Sequence, residues 1–220
     1  MSSAVIQLLV LAGIAIFLIL RLKNVLGTRE GFEKPQVESR PKASDTRRPE
    51  FELIEGGPDR DITDHVDDGS DSAKALAAMK MAESDFNVSD FLSGARQAYE
   101  MIFLAFERGD ISEVRGFLDP EVAGAFDQVI AERKAQGLTI KSEIVGVRDV
   151  ELYSATYDRE ASYAEITVRF LAELTTVVRN EAGEIVEGDP NEIKRQRDTW
   201  TFGRKMGVDD PNWQLVATGE

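Results

Sequence analysis

The chain has no cysteine and a single histidine, His65, in 220 residues. The first absence excludes disulfides, thiol nucleophiles, CxxC redox pairs and cysteine zinc sites. The second excludes multi-histidine metal centres and argues against a Ser-His-Asp triad. Positive charge is also scarce: 26 Lys and Arg stand against 40 Asp and Glu, a formal net charge of −14. Sequence-independent binding to nucleic acid needs a basic surface, so no nucleic-acid partner is expected. What is present in quantity is apolar mass. The apolar share of 42%, with 11 Phe, suffices for one packed core,.

Charge is unevenly placed. Residues 1–50 carry a net +3, residues 51–88 a net −7 and residues 89–220 a net −10. The three stretches read as three objects.

The first is a membrane anchor, residues 4–22. AVIQLLVLAGIAIFLIL (residues 4–20) holds no charge, and only Gln7 interrupts it. As a helix its 17 residues span roughly 26 Å, slightly under a hydrocarbon core of about 30 Å. Arg21 and Lys23 follow at once and are placed to snorkel to the membrane interface,. A signal peptide would carry its positive charge before the apolar stretch, where this chain has Met-Ser-Ser,. Positive charge after the stretch puts that side in the cytoplasm. The expected topology is a single crossing with the C-terminal domain on the cytoplasmic side.

The second object is a tether, residues 23–84, with Pro35, Pro41, Pro49 and Pro58 among charged residues,. A tether of that length reaches typically about 40–45 Å. It contains a short apolar island, FELI at residues 51–54. It also contains Asp59, Asp61, Asp64, Asp67, Asp68 and Asp71. A calcium loop starting at Asp64 fails, because Val66 and Ala75 fall at ligand positions,. The run therefore reads as a solvated acidic spacer, with His65 exposed inside it. AKALAAMKM (residues 73–81) has helix formers enough for a short helix leading into the domain,.

The third object, residues 85–220, is an α+β domain. Ser89 is a plausible helix N-cap, and Phe91, Ala95, Ala98, Ile102 and Ala105 recur at helical spacing up to Gly109,. Asp110 and Glu113 suggest a capping box and a further short helix,. Asp119, Pro120 and Glu121 start another helix, with Val122, Phe126, Val129 and Ile130 as its buried face,. After Gly137 the apolar period becomes two. It slips beside Gly146, which suggests a β-bulge in a long strand,. Residues 166–178 alternate most cleanly, residues 180–183 are turn material, and strands at 197–206 and 213–217 close the chain,. Helices followed by an antiparallel meander give helices on one face of a curved sheet.

FLSGARQAYEMIFLAFERGD (residues 91–110), FLDPEV (117–122), DTWTFGR (198–204) and DPNWQLVATGE (210–220) together resemble a known family. It is the C-terminal domain of the mitochondrial inner-membrane translocase subunit 44 family. With the anchor included, the chain is similar to the bacterial TimA adaptors. The resemblance implies a cystatin-like, nuclear-transport-factor-like cone, membrane association and a scaffold role with no catalytic residues and no cofactor. Mitochondrial members have a helical N-terminal half where this chain has anchor and tether, so their chaperone recruitment is not carried over.

The expected partners are the lipid bilayer and a protein at the membrane. The expected binding residues line an apolar mouth of the cone: Tyr99, Phe103, Tyr153, Trp200, Phe202 and Trp213. Each is equally an ordinary core aromatic. A local basic patch of Lys194, Arg195, Arg197, Arg204 and Lys205 is open to two readings, a contact to anionic lipid or strand charge paired with nearby acids. Two other classes of function fit the fold. One is a small isomerase or dehydratase with an Asp base and a Tyr donor. The other is a secretion-system bridging subunit with a periplasmic domain.

Overall fold

The computed structural model describes residues 59–219. The expected anchor, with Arg21 and Lys23, and the island at residues 51–54 lie outside them. Among the described residues no helix is long and apolar enough to cross a membrane.

The described helices are α1 (Arg60–Thr63), α2 (Asp71–Ala82), α3 (Val88–Arg108) and α4 (Pro120–Ala135), with a 3-10 turn (Arg115–Phe117) before α4. The strands are β1 (Thr139–Asp158), β2 (Tyr163–Arg179), β3 (Ile185–Gly188), β4 (Lys194–Lys205) and β5 (Gln214–Gly219). They form one antiparallel sheet in the order β1-β2-β4-β5, with β3 also paired to β2. The α+β order read from the sequence is the order observed.

The slipping parity of β1 has a geometric cause. On β2 the inward residues Ile166, Val168, Phe170, Ala172 and Leu174 are buried at every second position. Their partners on β1 are Ala155, Leu152, Val150, Val147 and Ile144, and three of those four intervals are three residues long. The register shifts between Ile144 and Gly146, Val147 and Asp149, and Leu152 and Ser154 each absorb one extra residue. The apolar row thus stays on the inner face, and each bulge adds bend and twist to the strand.

α3 lies on that inner face. Val88, Phe91, Leu92, Ala95, Tyr99, Ile102, Phe103 and Ala105 form its buried stripe, as helical spacing requires. Its N-cap is Asn87, whose side chain accepts from Asp90 N at 2.9 Å, rather than Ser89. Ser89 lies inside the first turn and its hydroxyl is engaged elsewhere. Gly109 ends the helix at φ 77, in the left-handed region that glycine enters without strain,. Asp119 caps α4 with Pro120 in its first turn, while the stretch after Asp110 makes the 3-10 turn instead of an α-helix. On α4 Val122 and Ile130 are buried but Val129 is exposed. β3 was not expected: its four residues are all exposed and show no alternation.

The domain begins well before residue 85, and the expected tether is too long at its C-terminal end. Leu76 and Met79 of α2 are fully buried in the main core with Ala73, and Ile62 of α1 joins them. Ser72 Oγ accepts from Ala155 N at 3.1 Å, which fastens α2 to β1. The acidic run is likewise more than a spacer. Asp61 accepts from Val88 N at 2.7 Å, from Ser89 N at 3.0 Å and from the Ser89 hydroxyl at 3.0 Å. Lys80 Nζ is 2.7 Å from the same carboxylate and His65 Nε2 is 3.1 Å from Ser89 Oγ. An anion over the free N–H groups at a helix N-terminus is favourable on both hydrogen-bonding and dipole grounds.

Candidate functional site

Tyr99 and Phe103 are four apart on α3 and so share its inner face. Tyr99 stacks on Phe170 at 4.4 Å between centroids and meets Trp200 at 4.7 Å and Phe103 at 5.8 Å. Trp200 and Phe202 face inward two apart on β4, and Phe202 meets Phe91 at 6.0 Å. Phe91 in turn meets Trp213 at 4.8 Å. These aromatics form a continuous internal row, each contributing edge or face contact beyond simple burial.

The six expected binding residues therefore do not line an open mouth. Tyr99, Phe103, Trp200 and Phe202 are buried core. Trp213 is half-buried between Phe86, Phe91 and the guanidinium of Arg204. Tyr153 sits at the third bulge of β1, 53% exposed, with the Arg169 guanidinium 3.6 Å from its ring centroid. The physical reason is coverage: α3 runs over the part of the sheet where the aromatics lie.

The expected basic patch divides: Lys194, Arg195 and Arg197 stay together along the start of β4, while Arg204 is engaged elsewhere. Arg204 is buried against Glu83, which also accepts from Gly207 N at 2.7 Å. Arg195 pairs with Glu173 at 3.2 Å, sharing it with Arg148, and Lys194 lies 3.7 Å from Glu192. Strand charge paired with nearby acids describes these three residues.

What the structure offers instead is a groove of about 660 Å³ at the far end of the inner face. Leu174, Thr176 and Val178 of β2 continue the apolar row and make its floor. Gln196 and Asp198 of β4 make one wall, and Glu187 and Gly188 of β3 another, with Lys194, Arg195 and Arg197 also lining it. β3 and β4 pair with successive parts of β2, and residues 189–193 loop between them. That loop-out opens the space. Gly188 makes it possible: at φ 84 it approaches β2 so closely that a Cβ there would run into the Thr176 carbonyl oxygen,.

Where the aromatic row meets the groove, the Tyr99 hydroxyl donates to Asp198 Oδ2 at 2.6 Å. Gln196 Nε2 donates to both oxygens of the same carboxylate, at 3.1 and 3.0 Å. Burial pushes the Tyr99 hydroxyl well above the ordinary tyrosine range, and its bond to Asp198 and that carboxylate's charge push the same way,. A hydroxyl so held keeps its proton and directs it to Asp198. The pair pins α3 to β4, and Tyr99 is not presented to the groove as a general acid.

A second polar knot joins the elements beside the groove. Glu107 of α3 accepts from Ser142 Oγ at 2.8 Å and from Arg133 of α4 at 3.3 Å. Ser142 Oγ is 2.9 Å from Thr176 Oγ1, a floor residue. Among the described residues no group of three or more His, Asp or Glu side chains is placed to hold a metal ion.

Sequence reasoning passed over Asp198, Gln196 and the floor residues as a site. A signal existed: the row opposite Leu174, Ala172 and Phe170 on β4 is Lys194, Gln196 and Asp198, polar where the inner face should be apolar.

The human mitochondrial import inner membrane translocase subunit TIM44 is 35% identical over 89 residues, 40% of this chain and 19% of that protein. The rat protein of the same name is 29% identical over 89 residues, again 40% of this chain and 19% of its own length. This chain thus spans about a fifth of the relatives it matches. The intermembrane space region of the chloroplast protein ARC6 matches at 12% identity with a TM-score of 0.39, over 60% of this chain and 92% of that one. The profile of the Tim44-like domain matches residues 72–220. The match takes in α2 through β5, and on that ground the chain belongs to the Tim44-like domain family.

Proposed function

We propose that the protein is a membrane-tethered, non-catalytic adaptor that serves protein transport by holding a polypeptide partner beside an inner membrane. Membership of the Tim44-like family carries this reading, since the human relative is named a subunit of an inner-membrane import translocase. The apolar stretch at residues 4–20, flanked by Arg21 and Lys23, supplies the tether's fixed end, as in the TimA adaptors,. The domain then lies on the cytoplasmic side of a bacterial inner membrane. Holding it near the bilayer raises its effective concentration for partners there. The groove over Leu174, Thr176 and Val178 takes the partner segment, because Leu174 and Val178 give its floor apolar surface and its rim offers both donors and acceptors,.

The test uses the full chain in membranes with a photo-crosslinking residue at Thr176 or, as a control on the outer face, at Tyr153. Protein adducts from position 176 and few from 153 are expected. Equal yields at both positions, or none at either, would overturn the assignment of the groove. A reporter fused after Glu220 that is active only in the periplasm would reverse the topology and favour the secretion-type bridging reading.

A further inference from the structure

We draw no further inference here: the strongest candidate, the groove over Leu174, Thr176 and Val178 at the far end of the inner sheet face, belongs to the site already described, and with a rim of both charge signs nothing in the structure specifies the chemistry of what covers it.

Discussion

Replacing Asp61 by Asn keeps the size of the side chain and removes its charge. The carboxylate is 15% exposed and faces four donors: Val88 N, Ser89 N, the Ser89 hydroxyl and Lys80 Nζ. Partial burial alone would raise its pKa. The Lys80 ammonium outweighs that, with the Val88 and Ser89 N–H groups and the Ser89 hydroxyl, and brings it from 3.8 to about 2. At about 1.4 kcal/mol per tenfold change, and allowing for screening by solvent, the charge contributes roughly 1–2 kcal/mol at neutral pH. The amide would also turn a donor toward at least one backbone N–H, a penalty of about 1–3 kcal/mol. The two routes describe the same contacts and agree on about 2 kcal/mol. For a domain of this size that lowers Tm by about 4–8 °C.

The pH dependence of this contribution has a definite sign. A folded pKa below the unfolded one stabilises above the unfolded pKa, and the advantage is lost as pH falls through the folded value. The wild type should therefore surrender its lead over Asp61→Asn between about pH 4 and pH 2. Thermal and urea unfolding of residues 59–220, wild type and variant, at neutral pH and across that acid range, measures both quantities. A variant that melts with the wild type at neutral pH would refute the reasoning. So would a gap that persists unchanged at about pH 2.

Three further outcomes follow from the packing. Leu76→Ala should cost about 2–5 kcal/mol, because Leu76 is fully buried,; a urea midpoint equal to wild type would return residues 71–82 to the tether. Tyr99→Phe should cost about 1.5–3 kcal/mol for the lost bond to a carboxylate,. Because the folded hydroxyl holds its proton more tightly than the unfolded one, wild-type stability should fall by up to about 1.4 kcal/mol per pH unit above roughly pH 10. Alkaline denaturation should show a shallower slope in Tyr99→Phe, and an identical slope would contradict the buried hydroxyl. Gly188→Ala should release β3 from β2 and raise amide exchange at residues 185–188, while leaving β4 and β5 protected; uniform protection in the variant would contradict the close approach to Thr176,.

Much of the fold was legible before any coordinates. α3 declares itself through its stripe and Gly109, α4 through Asp119 and Pro120, and β2 through strict alternation. These signals are local: a helix face, a cap and a pleat depend on residues within a few positions of each other. The bulges of β1 were partly legible, since the slip beside Gly146 sits in the sequence itself. The first helix was not read from the sequence, and the second was read at residues 73–81 as a lead-in rather than as part of the core. Ala73, Leu76 and Met79 make a thin stripe, and only the sheet beneath them shows that it is covered.

The site was the least legible part, for a related reason. An aromatic in a sequence carries no mark of whether a helix will lie over it, and Tyr99, Phe103, Trp200 and Phe202 are core only because α3 crosses where they stand. The groove exists because β3 and β4 divide one edge of β2 between them and loop out in the gap, a pairing across distant residues. Asp61 shows the same division. Composition made it one of six aspartates in an acidic run, and tertiary structure set this one over the N-terminus of α3. The sequence by itself determined composition, charge and the periods of helix and strand, because those follow from near neighbours. Burial, pairing and the shape of the groove belong to contacts between residues far apart in the chain, and only the tertiary structure decided them.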